Sequence, residues 1–295
     1  MNKSITTADG LRLHLLHWPA AEPARGTVLI VHGLGEHCGR YAHIAAQLNL
    51  AGWHVLGYDH RGHGWSQGAR GALPDSEALL RDLATVIDTC RSRLPTPLIL
   101  LGHSMGGLVA ARFVAAGLDA QRPTWWRDVD GLVLSSPAFD PGMNAVQKLL
   151  LAALGPIAPD LALGNGLKPE WLSHEHSVVE LYRNDSLVHD RITPRLVRFI
   201  VDGGRAVIAS AARWPLPTLL LYAGSDRCVA PRGSAAFAAA APKASVQAQV
   251  FPGMFHEIFN EPGRGEVFAL LIDWLAQREE TTAKTRPEVR PRSSA

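Results

Sequence analysis

Leu98-Ile99-Leu100-Leu101-Gly102-His103-Ser104-Met105-Gly106-Gly107 is the stretch that decides the fold. Its four leading apolar residues show no polar alternation, as expected of a strand covered on both faces of a parallel sheet. The run ends in Gly102-His103-Ser104-Met105-Gly106, a G-x-S-x-G sequence, and a helical pattern carrying Leu108, Val109, Phe113 and Val114 follows. A serine held between strand and helix sits on a sharp turn in strained dihedrals, so its neighbours must be nearly bare of side chain. Gly102, Gly106 and Gly107 meet that need. The five-residue pattern alone is weak; the strand before it and the helix after it make it strong. The helix N-terminus also favours negative charge developing beside the serine. Ser104 is the predicted nucleophile.

Outward from this turn the chain alternates strands and helices. Apolar runs at 27–31, 53–58, 131–135, 218–222 and 246–251 read as strands. Helical patterns at 41–50, 75–93, 104–116, 234–241 and 266–277 lie between or after them. Such alternation implies right-handed βαβ units on a parallel sheet. At the N-terminus, 5–7 and 11–18 read as a hairpin with Asp9-Gly10 as its turn. From 139 to 214 the rhythm breaks. Helical pieces at 146–154 and 192–200 stand between Pro/Gly loops, with no sheet-like apolar run. This gives a core at 1–138 and 215–278 and a helical cap inserted at 139–214. The tail 279–295 is polar, charged and holds Pro287 and Pro291, so disorder is expected there.

The composition suits a soluble globular protein: 47% of the 295 residues are apolar and 19% charged. A formal net charge of +2 is too small to argue for nucleic acid or acidic membranes as partners. Cys38, Cys90 and Cys228 are widely spaced, form no CxxC pair and suit a reducing compartment. MNKSITTADG has no apolar segment after its lysine, so no secretory signal is expected. The strongly apolar stretch Leu149 to Leu154 is far short of the roughly 20 residues a membrane helix needs. A cytoplasmic location is the expectation.

A serine hydroxyl needs a base to take its proton, and position must choose among 13 histidines. On a G-x-S-x-G elbow the chain order is nucleophile, acid, histidine. His256 follows the strand 246–251 and the turn Pro252-Gly253, and no histidine lies between it and His189. Asp226 follows the strand 218–222 through Ala223-Gly224-Ser225, at a carboxyl end where loops gather chemistry. His103 adjoins the serine but should point away from it, Asp190 and Asp202 fall in the cap, and Glu257 reads as a loop-fixing residue.

Acyl transfer also needs backbone donors for an oxyanion. Met105, the residue after the nucleophile, should give one amide, and Leu34 in His32-Gly33-Leu34-Gly35 the other. The side chain of His32 is expected to hold loop shape. Asp59-His60-Arg61-Gly62-His63-Gly64 has two histidines that could ligate zinc, but reads better as a hydrogen-bonded loop that its glycines permit. His174-Glu175-His176 lacks the H-E-x-x-H spacing. No metal is assigned to either.

VHGLGEH at 31–37, RY at 40–41, DHRGHGWSQG at 59–68 and GHSMGG at 102–107, with the later aspartate and histidine, resemble the monoacylglycerol lipase and lysophospholipase-like group. The resemblance runs from about residue 10 to 278. YRNDSLVHD at 182–190 resembles a family segment usually reading N-D-P-L, with Ser186 in place of the proline. It implies the α/β-hydrolase fold, a mostly parallel eight-stranded sheet flanked by helices with a cap. It implies Ser104, Asp226 and His256 as triad, Leu34 and Met105 as oxyanion donors, no cofactor, and acyl esters as small-molecule substrates. Lysophospholipase, thioesterase, acyltransferase or peptidase chemistry on the same triad, or a non-catalytic binding scaffold, stand as alternatives. Within the cap, Leu150, Leu154, Ile157 and Leu161 are expected to touch substrate, and the same apolar surface offers transient contact with lipid.

Overall fold

The computed structural model describes residues 3–285. The strands are β1 (Ser4–Thr6), β2 (Arg12–Trp18), β3 (Gly26–Val31), β4 (Trp53–Tyr58), β5 (Leu98–His103), β6 (Gly131–Ser135), β7 (Leu163–Gly164), β8 (Arg191–Ile192), β9 (Thr218–Ala223) and β10 (Val246–Phe251). The helices are α1 (Ala42–Leu50), α2 (Ala78–Arg91), α3 (Met105–Ala116), α4 (Ala145–Ile157), α5 (His176–Asn184), α6 (Pro194–Ser210), α7 (Pro231–Ala240) and α8 (Arg264–Thr285).

Eight strands make one sheet in the order β1-β2-β4-β3-β5-β6-β9-β10. β1 and β2 are antiparallel to each other and β2 is antiparallel to β4. The remaining pairings are parallel, so these strands end on the same side. The predicted hairpin turns at Gly10, whose φ of 82° is open to glycine.

The uninterrupted apolar runs have a direct cause. Alternate side chains of a strand point to opposite faces, and here both faces are covered. Leu29 and Val31 of β3 join a cluster with Leu83 of α2, Leu108 of α3 and Phe199 of α6. Val28 and Ile30 join a second cluster with Ile44 of α1 and Leu271 of α8. Each such side chain contributes about 1.5–3 kcal/mol on burial.

Between β6 and β9 the chain builds α4, α5, α6 and a small ladder pairing Leu163 with Ile192 and Gly164 with Arg191. That ladder adds two strands not expected from sequence; at two residues each they are too short to carry a period-two pattern. α6 starts where the Thr193 hydroxyl accepts the Leu196 amide and runs to Ser210, well past the predicted 200. Gly203-Gly204 hides its second half in the sequence. A Cβ at Gly204 would lie 2.1 Å from the Phe139 carbonyl oxygen, so bare backbone lets α6 press against the chain leaving β6. α5 is an addition to the helices expected from sequence; its short run HSVVELYRN mixes polar and apolar residues and buries chiefly Val179. α8 continues to Thr285, which corrects the tail predicted from 279. Glu279, Glu280, Ala283 and Lys284 are good helix formers and no glycine or proline intervenes before Pro287. The rest of that expectation, 286–295, lies outside the described residues. Among the described residues no helix is long and apolar enough to cross a membrane.

Candidate active site

β5 delivers Ser104 at its carboxyl end with φ 52° and ψ −120°, a conformation that L residues rarely adopt. The strain persists because the surroundings over-determine it. The Ser104 amide donates to the Ser135 carbonyl, and its own carbonyl accepts from Leu108 and Ala138 at 3.1 and 2.9 Å. A Cβ at Gly106 would lie 2.0 Å from the Val31 carbonyl oxygen, and one at Gly102 2.6 Å from the Gly106 carbonyl oxygen. Those approaches leave no room for side chains, as the sequence predicted for the elbow.

The loop after β3 abuts the serine: a Cβ on Gly33 would lie 3.2 Å from the Ser104 Cβ. The next residue, Leu34, lines the same cavity as Ser104 and Met105. Met105 opens α3, and first-turn amides of a helix have no intrahelical acceptor. The amides predicted from sequence thus come from two segments that meet at Ser104. His32 holds this loop. Its Nε2 accepts the His60 amide at 2.9 Å, and its Nδ1 lies 2.8 Å from the Gly33 carbonyl.

Asp226 and His256 meet behind β9 and β10. His256 Nδ1 lies 2.7 Å from Asp226 Oδ2, and both side chains are buried. Asp226 Oδ1 accepts the amides of Cys228 and Val229 at 2.8 and 3.0 Å. Burial opposes charge on both groups, but the pair overcomes it. The Asp226 charge and hydrogen bond hold the imidazole above its ordinary value. The His256 charge and hydrogen bond, with the two amides, hold the carboxyl below its ordinary value. Cys228 connects this pair to the serine. It lines the Ser104 cavity, and its sulfur, the imidazole and the Asp226 carboxylate have ligating atoms within 4.8 Å of one another. That trio has metal-ligand chemistry, yet both Asp226 oxygens are already engaged.

His103 lies against His256, with ring centroids 4.7 Å apart. Its Nδ1 lies 3.0 Å from Ser135 Oγ, and burial pushes its imidazole down to about 4. It is a neutral neighbour at ordinary pH. The segment 139–214 also holds the His256 loop: the Glu257 amide donates to the Leu172 carbonyl at 2.8 Å, and His174 Nδ1 lies 2.7 Å from Glu261. Sequence reading missed that link, which joins residues far apart in the chain.

The cavity at Ser104 measures about 350 Å³ and its lining is mostly apolar. Of the cap residues named from sequence, Leu150 lines it. Ile157 and Leu161 do not; they are 83% and 49% exposed. Along α4, Gln147, Leu150 and Leu151 line the cavity, with Leu150 at its rim and still 52% exposed, while Val146, Leu149 and Ile157 face solvent. The Leu154 side chain lies outside the described residues. The sequence did not single out Ile192, Val197 and Ile200, which line the opposite wall. The signal was the apolar spacing of 192–200, which was read as cap helix without a role.

The loop at 59–64 is a hydrogen-bonded turn around Asp59, whose carboxylate accepts the Cys38 and Trp65 amides at 2.8 and 2.9 Å. Gly64 adopts φ 50°, and a Cβ there would lie 2.1 Å from Asp59 Oδ2.

A parallel sheet, a strained serine between strand and helix, and a late Asp–His pair define a serine hydrolase of the α/β-hydrolase fold. Residues 22–263 match the family described as Hydrolase_4, serine aminopeptidase S33, and the chain belongs to that family. It is 32% identical over 276 residues to the monoacylglycerol lipase of Mycolicibacterium smegmatis, covering 92% of this chain and 95% of that one. It is 29% identical over 287 residues to an uncharacterized abhydrolase domain-containing protein of Dictyostelium discoideum; the match covers 96% of this chain but 30% of that longer protein. The crystal structure of Paleococcus ferrophilus monoacylglycerol lipase matches with a TM-score of 0.80 and 33% identity, over 90% of this chain and 99% of that one.

Proposed function

We propose that this chain hydrolyses carboxylic esters with one acyl chain, monoacylglycerols or close relatives, through an acyl-enzyme on Ser104. The observation that carries the reading is the apolar cavity that has Ser104, Leu34 and Met105 at one end and α4 and α6 along its walls. An acyl chain fits such a lining, and the ester carbonyl then meets the serine.

In this reading His256 takes the Ser104 proton as Oγ attacks the carbonyl carbon. The oxyanion is held by the amides of Leu34 and Met105, each worth about 2.7–4 kcal/mol. His256 passes its proton to the departing alcohol and the C–O bond breaks. Water, deprotonated by His256, then attacks the acyl-serine and releases a carboxylic acid, regenerating Ser104. Asp226 fixes the imidazole orientation and stabilises its cation.

The segment 139–214 acts as the cap that sets acyl-chain choice, with Leu150 at the cavity and Val146, Leu149 and Ile157 free to meet a lipid surface. Cys38, Cys90 and Cys228 are free and buried, in keeping with a cytoplasmic protein. The monoacylglycerol lipases matched above support the substrate class. The test is kcat/KM over monoacylglycerols and p-nitrophenyl esters from acetyl to palmitoyl, with a lysophospholipid beside them. The reading expects a rise with chain length and preference for the glycerol ester. A flat response beyond acetyl, or preference for the lysophospholipid, would contradict it.

A further inference from the structure

A second cleft, of about 750 Å³, opens between α4, α6 and α7. It shares Pro141, Met143 and Leu151 with the Ser104 cavity, so the two spaces adjoin along those residues. Its apolar parts include Leu151, Ala152, Val201 and Ile208, and its cations are Lys148, Arg198, Arg205 and Arg232. Against these stand two carboxylates, Asp140 and Asp202. Asp140 is paired with Arg232 at 2.6 Å. Among the described residues no carboxylate is ion-paired with Lys148, Arg198 or Arg205. Arg198 and Arg205 lie seven residues apart on α6, two turns along one face, while Lys148 approaches from α4. The cleft thus joins an apolar surface to a net positive one with three cations available to a ligand.

We propose that this cleft is a binding site for a long-chain carboxylate, its tail along Leu151 and Val201 and its head on Arg198 and Arg205. Guanidinium groups suit a carboxylate because their paired N–H donors match its two oxygens. The identity of the occupant rests on the ester-hydrolase reading, since ester cleavage releases that anion; binding itself needs no turnover. Because Met143 and Leu151 face both spaces, a filled cleft presses on the wall of the acyl cavity, which makes it a place where product can act back on the enzyme.

The test is calorimetric titration of the full chain with decanoate below its micelle concentration, with decanamide and inorganic phosphate as separate probes. Decanoate should bind. The Arg198→Gln/Arg205→Gln variant, checked by its unchanged melting temperature, should bind it about tenfold more weakly, with decanamide unaffected. Val201→Asp, with both arginines intact, should weaken decanoate as well. Equal decanoate affinity in either variant, absence of decanoate binding, or phosphate binding as tight as decanoate overturns the proposal. Loss of esterase activity bears on the proposed ester hydrolysis alone, because these titrations do not depend on it.

Discussion

Arg40 grips Glu257 at two points: its Nη1 and Nη2 donate to the two carboxylate oxygens at 2.8 and 2.9 Å. Nη1 also donates to Glu36 at 2.6 Å, and the other Glu36 oxygen accepts the Gly33 amide at 2.6 Å. Glu257 follows His256 and Gly33 precedes Leu34. One buried cation therefore ties the loop of the proposed base to the loop of the proposed oxyanion donor. Burial alone would raise the Glu257 carboxyl, but Arg40 brings it down to about 2.

Arg40→Ala would leave two buried carboxylates without their cation. We expect a loss of about 3–5 kcal/mol in urea unfolding. Under conditions where the variant stays folded, kcat should fall more than KM changes, since both loops act on the transition state. Arg40→Lys should recover only part of each loss, because an ammonium cannot reproduce the two-point grip. A variant with parental stability and kcat would show that the network is ornamental.

The proposed base must be neutral to accept a proton, and Asp226 holds His256 above the ordinary value of 6.5. The rate kcat/KM should therefore rise with pH through an apparent pKa above 6.5. Asp226→Asn removes the raising influences and keeps the burial, so that midpoint should move down while kcat falls by ~10⁴-fold. The stability consequence has the opposite sense for the imidazole. Its raised folded-state pKa contributes stability that is full below the unfolded value and lost as pH rises through the folded one. A pH–rate profile of the two proteins checks the shift; an unmoved midpoint would assign the titration to another group.

Two glycine substitutions should have opposite signs. Gly106→Ala places a Cβ 2.0 Å from the Val31 backbone oxygen, so the elbow must distort and stability should fall by several kcal/mol. Gly265→Ala, in the first turn of α8, meets nothing within 4 Å and should stabilise by about 0.4–1 kcal/mol. Thermal melts of both variants test this.

Leu150→Glu puts a charge at the lining of the Ser104 cavity. Turnover of long-chain p-nitrophenyl esters should fall by at least tenfold, while the acetate ester is cleaved at close to the parental rate. The outward Leu149, 70% exposed, is the control: Leu149→Glu should leave soluble substrates unaffected. Equal effects at the two positions would remove the cavity from the account.

The elbow was legible because its constraint is local: bare residues around a strained serine leave a pattern within ten positions. Asp226 and His256 were legible because the chain order and the ends of late strands narrow the choice. The face of α4 that turns inward was not, since leucines at 149, 150 and 151 look alike until the neighbouring α6 selects among them. Nor was the full length of α6, where Gly203-Gly204 lowers helix propensity for the sake of contact with Phe139. Glu36 and Arg40 stand four residues apart and invite pairing, but Glu257 lies 217 residues from Arg40, a partnership set only by tertiary structure.

The most direct measurement compares kcat/KM of the parent and Ser104→Ala on p-nitrophenyl butyrate, with folding verified for both. The account predicts a fall of ~10⁴-fold or more in the variant. Cleavage by Ser104→Ala within tenfold of the parent would contradict it, because no acyl-enzyme could then lie on the route.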